Sequence, residues 1–182
     1  VYYSFNREGK PTIPRVAIRM DGKSDIGELR GIAERQNLDP YIGGVVAEKL
    51  REIPGAKEYE EKVMDMKNLT AIEKKVRGGQ ELTRDELSFL WAINSPIKGF
   101  GFKDDPRIAE LRGMRDPKVD MAVVFGCKPE EIAWKKRDLN EKSKAYLDKL
   151  EPGIFGLIQK YNVEYISAAF PPEGKAIKRQ TI

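Results

Sequence analysis

Four carboxylates crowd one stretch of the chain: Asp104, Asp105, Asp116 and Asp120. Grouped acidic oxygens are what Mg²⁺ needs for phosphoryl chemistry. The sequence offers two of them a simpler use. Asp105 and Asp116 each precede a proline, the pattern of a helix N-cap followed by Pro at the first helical position. Asp65-Met66-Lys67 and Glu73-Lys74-Lys75 have the acid-x-Lys spacing of many nucleases. Both lie in a predicted helix, where residues two apart point to different sides. Cys127 is the only cysteine, and there is no histidine. That removes the commonest general base, zinc sites of the Cys/His type, and Ser-His-Asp or Cys-His nucleophiles. Cys127 follows the apolar "AVVFG" and reads as a small buried hydrophobe. A chain without disulfides fits a reducing compartment, so a cytoplasmic location is expected. No catalytic residue, metal set or cofactor is predicted.

The stretch "KGFGF" at 98–102 reproduces the start of the aromatic RNA-stacking motif K/R-G-F/Y-G/A-F-V-x-F/Y. The motif should continue Val-x-Phe, but Lys103, Asp104 and Asp105 follow, and two carboxylates there would repel a phosphate backbone. The flanking segments are helical, whereas the motif needs a strand. Residues 94–105 are predicted to be an irregular connection. Phe100 or Phe102 should pack on the helix that carries Leu87, Leu90 and Trp91. The same glycines fall short of the G-x-G-x-x-G phosphate loop.

The charge balance points weakly toward nucleic acid. Net charge is +4, and the excess sits late, with 11 Lys/Arg against 8 Asp/Glu over residues 121–182. "KKR" at 135–137 and "KAIKR" at 175–179 make Lys135, Lys136, Arg137, Lys175, Lys178 and Arg179 the candidate contacts to a partner or to nucleic acid. Most such residues in proteins are solvated surface.

These residues must be held by elements, and the periodicity changes along the chain. "VYYSF", "RVAIRM" and "DIGELRGIA" read as strands joined by turns at "NREGKPTIP" and "DGKS". From residue 41, apolar positions recur every three or four. One helix ends at Pro54-Gly55 and a longer one, with Tyr59, Val63, Met66, Leu69, Ile72 and Val76, ends at Gly78-Gly79. Thr83 and Glu86 have capping-box spacing. "DPRIAELRGM", "DPKVDMAVVFG" and a segment from Pro129 that carries Trp134 are predicted helices. "AYLDKL", "VEYISAAF" and "AIKRQTI" read as strands around a helix at "PGIFGLIQKY". The fold class is α+β, with an N-terminal antiparallel sheet (1–40), a helical region (41–135) and a mixed C-terminal region (136–182), forming one compact unit. An apolar run long enough for a membrane helix is missing. The first residue, Val1, and the strand-like last residues predict a piece of a longer protein.

Several blocks carry a resemblance: "IPRVAIRMDGKSDIGELRGIAERQNL", "ELSFLWAINSPIKGFGFKDDPRI", "FGCKPEEIA" and "VEYISAAFPPEGKAIKRQTI". Together they resemble a family of uncharacterised proteins of candidate-phyla-radiation bacteria. The "GFG[FY]xxDPRI" block is the most specific part. Many members look multidomain, with leucine-containing repeats near the position of residues 133–145. This chain lacks that insert. The resemblance implies no activity and no catalytic residues. Residues 1–40 alone are similar to a C-terminal module of some plasmid-transfer and phage proteins, through Gly31, Asn37 and Pro40. The expectation is a non-enzymatic interaction or regulatory domain of a larger bacterial protein, with a protein partner. Two alternatives stay open: a nucleic-acid-associated module linked to mobile elements, and an enzyme using carboxylates and Lys/Arg alone.

Overall fold

The computed structural model describes residues 1–32, 43–100, 104–168 and 170. The fold is α+β and divides into two units, residues 1–66 with 98–103, and residues 67–97 with 104–182. In the first unit, β1 (Tyr2–Phe5), β2 (Pro11–Met20) and β3 (Ile26–Gly31) form an antiparallel sheet in that order. Alternation sorts the side chains. Val16 and Ile18 of β2, with Ile26 and Leu29 of β3, pack against α1 (Gly43–Leu50) through Val46 and Leu50, and against Ala56 and Tyr59 at the start of α2 (Ala56–Arg77). The imperfect phase of Ile26 and Leu29 is absorbed by a register shift between Arg19 and Met20. The odd-numbered residues Arg15, Ala17 and Arg19 take the opposite face.

The turn between α1 and α2 is tight for a steric reason. Gly55 has φ +86°, and a Cβ there would stand 2.1 Å from the Ser24 carbonyl oxygen. No other residue fits both demands.

In the second unit, α2 contributes Leu69 and Ile72, both fully buried. Then come α3 (Arg84–Leu90), α4 (Pro106–Gly113) and α5 (Pro117–Phe125). Their starts follow the sequence closely. Thr83 Oγ1 accepts from the Glu86 N–H at 3.3 Å while Glu86 Oε2 accepts from the Thr83 N–H at 2.9 Å. Asp105 and Asp116 cap α4 and α5 ahead of Pro106 and Pro117. Four helices end alike, with Gly79, Ala92, Gly126 and Asn162 in the left-handed region. In each case the next N–H reaches back five residues, as Ile93 does to Ser88 O at 2.9 Å and Cys127 to Ala122 O at 3.0 Å. Ala92 carries a Cβ there without a polar side chain to offset the strain.

The chain then forms a short parallel ladder, β4 (Ile132–Ala133), β5 (Ala145–Tyr146) and β6 (Tyr165–Ile166), in sequence order. A 3-10 turn at Lys136–Asp138 lies between β4 and β5, and α6 (Ile154–Lys160) between β5 and β6. Ala133, Leu139, Tyr146, Ile154 and Ile158 form its core. The helix expected from Pro129 is corrected to a single 3-10 turn, Pro129–Glu131, followed at once by β4. Trp134 therefore lies beyond β4 and not on a helix. The reason is tertiary: Lys144 and Leu147 donate to the carbonyls of Glu131 and Ala133, and those ladder bonds outcompete a second helical turn. The expected turn at "PPEGK" and the strand "AIKRQTI" lie outside the described residues.

Two substitutions test this backbone account with opposite signs. Ala92→Gly should raise unfolding free energy by about 0.5–1 kcal/mol. Gly55→Ala should lower it by about 1–3 kcal/mol through clash with Ser24. Urea titration followed by circular dichroism measures both, and equal effects of one sign would contradict it.

Candidate interaction surface

Lys98, at the head of "KGFGF", is pinned beside α2. The Lys98 N–H donates to Asp65 Oδ2 at 2.8 Å, and its ammonium pairs with Glu61. Residues 96–100 are irregular, as expected for a connection. Phe100, one of the two rings expected to pack on a helix, lies against the start of α2. Its ring lies 5.5 Å from that of Tyr59, and it stays 42% exposed. Lys98 holds the backbone along α2, so the ring meets the residue α2 offers there. Phe102 lies outside the described residues.

The four crowded carboxylates do separate jobs. Asp105 accepts from the Arg107 N–H at 3.0 Å and from its guanidinium at 2.8–3.0 Å. Asp116 accepts from the Lys118 N–H at 2.8 Å. Asp104 is exposed. Asp120 is 2% exposed and accepts from Trp91 Nε1 at 2.8 Å and from Arg115 at 2.7 and 2.8 Å. Glu73 pairs with Arg77 and Arg107. Among the described residues no group of three acidic or cysteine side chains could hold a metal ion.

The basic cluster is divided. Lys135 is exposed, and Arg137 is 77% exposed with only a 3.8 Å pairing to Asp138. Lys136 instead turns back and donates to the Pro152 carbonyl at 2.6 Å, which ties the 3-10 turn to the start of α6. Lys175, Lys178 and Arg179 lie outside the described residues. Cys127 is half-buried, not buried as expected, because the Gly126 turn ends α5 just before it. Burial pushes its thiol up, and nearby Glu131 adds to that, so it is a poor nucleophile at neutral pH. Lys144, the neighbouring cation, pairs with Glu131 at 3.2 Å.

Sequence reasoning missed the outward-facing apolar residues. Tyr2, Tyr3 and Phe5 of β1 are exposed, Phe5 by 69%, and so is Ile13, which sits opposite Ser4 on β2. On α5, Val119 and Val123 stand one turn apart on the outer face, while Met121, Val124 and Phe125 fill the core. Phe155 of α6 is exposed as well. The signal was present in "PKVDMAVVF", which is apolar on every side, and a helix of that kind ordinarily has its outer face covered.

Comparison with protein-family models, curated proteins and solved structures found no match to this chain.

The capping carboxylates set the acid response. The hydrogen bond from the Arg107 side chain holds the Asp105 carboxyl below its usual range. Burial raises Glu86, but bonds from Lys75 and Thr83 outweigh it and leave that carboxyl lowered. Each carboxyl gives up its proton more readily folded than unfolded. Each therefore stabilises at neutral pH, and its contribution disappears as pH falls below about 4. With histidine absent, no unperturbed side chain titrates between about pH 5 and 8. The Tm should be flat from about pH 5.5 to 8 and fall below about 4, with a shallower fall for Asp105→Asn. A Tm that moves between pH 6 and 8 would contradict this.

Proposed function

We propose that this chain is a non-enzymatic interaction domain of a larger bacterial protein, working in a reducing cytoplasmic compartment. The observation that carries the reading is the outward display of Tyr2, Tyr3, Phe5 and Ile13 on one sheet. Aromatic side chains offer large contact area at low entropic cost, and binding surfaces are enriched in them.

Lys135 and Arg137 favour a second reading, contact with nucleic acid, because both project from the 3-10 turn into solvent. Site-specific photo-crosslinking separates the two. A photoreactive residue in place of Phe5 should capture a protein, while one in place of Arg137 should capture neither protein nor nucleic acid. Nucleic-acid adducts from position 137, with none of any kind from position 5, would favour the second reading and overturn the first. Among the described residues no helix is long and apolar enough to cross a membrane.

A further inference from the structure

Resting on that reading, the open face of the β1–β2–β3 sheet narrows the chemistry of the partner. One face is filled by the core around Val16 and Ile26. The other carries Ile13 and Ala17 along β2, with Arg15 and Arg19 beside them and Arg30 opposite Ala17. The three strands hold three arginines, no lysine and a single carboxylate, Glu28. Glu28 is shared: it pairs with Arg30 and lies 3.7 Å from Arg19, whose nearest other acid is Asp21 in the turn. Side chains of Arg19 and Arg30 are still 60% and 50% exposed. Arginine enrichment without lysine, around an apolar floor, is a composition that favours protein partners.

We infer that this face docks an acidic polypeptide segment, whose carboxylates take Arg19 and Arg30 while its apolar side chains cover Ile13 and Ala17. Guanidinium pairs carboxylates bidentately, and the apolar floor between the arginines suits side chains better than a phosphate backbone. The recognition is of charge and apolarity together.

The test uses the whole chain and three fluorescent probes: a twelve-residue peptide alternating Glu and Leu, the same peptide with Lys for Glu, and a single-stranded RNA of equal length. Anisotropy should show saturable binding of the acidic peptide alone, weakening with salt. Arg30→Gln should weaken it about tenfold, the loss of one charge-assisted pair. Ile13→Ser should weaken it too, while Lys142→Gln, on an exposed loop of the second unit, should leave it unchanged. Absence of acidic-peptide binding, equal or tighter binding of RNA, or indifference to both Arg30→Gln and Ile13→Ser would each overturn the inference. A protein crosslinked from position 5 together with a failed acidic peptide would leave the interaction reading standing and remove only the partner's acidity.

Discussion

The second unit depends on a carboxylate that has no access to water. Asp120 sits in the first turns of α5 with three N–H groups directed at it, one from the Trp91 indole and two from Arg115. A buried charge is costly unless it is paired and hydrogen-bonded. Here the fork of one guanidinium takes both oxygens, and the indole takes a remaining lone pair. The hydrogen bond to Asp120 raises Arg115 above its ordinary value, so the guanidinium keeps its charge. Trp91 follows α3 and Arg115 precedes α5, so a single side chain fixes three segments.

That constraint matters because the helices it joins are short, 7 residues in α3, 8 in α4 and 9 in α5. Helices of this length are not stable alone. Their ends are instead satisfied by neighbours. Arg112 of α4 donates to the Leu90 carbonyl at the end of α3 and lies over the Trp91 ring at 5.6 Å. Arg84 of α3 donates to the Val124 carbonyl in the last turn of α5. Each cation meets the negative end of a helix dipole, where its charge is favoured. Burial lowers Arg112, yet the carbonyl and the indole face hold it in place. The Trp91 ring continues the packing to the buried Phe170 at 5.5 Å and from there to Trp134.

Much of this was legible in the sequence where local chemistry decides. The Thr83–Glu86 box, the two Asp-Pro caps, the turn at Gly55 and the stop at Gly79 were read from neighbouring residues alone. Asp120 was grouped with Asp104, Asp105 and Asp116 because sequence shows only proximity along the chain. Its spacing from Val124 places it on the inner face of α5, but its partner Trp91 lies 29 residues earlier and gives no local sign. The strands β5 and β6 fall within "AYLDKL" and "VEYISAAF", which read as strands, whereas β4 was hard to see because it exists only as a rung of a tertiary ladder. The open face of the first sheet was half visible. Alternation along β2 places Arg15 and Arg19 away from the core, but only the register sets Glu28 opposite Arg19 and Arg30 opposite Ala17.

The Asp120 carboxylate and its donors act as one unit. A double-mutant cycle on Arg115→Gln and Asp120→Asn, followed by urea denaturation, tests it most directly. Either single change should cost about 3–5 kcal/mol, because it strands a buried charge. The double variant should lose less than the sum by at least about 1 kcal/mol. Small single losses that simply add would contradict it, and would show that the second unit holds its helices together without this carboxylate.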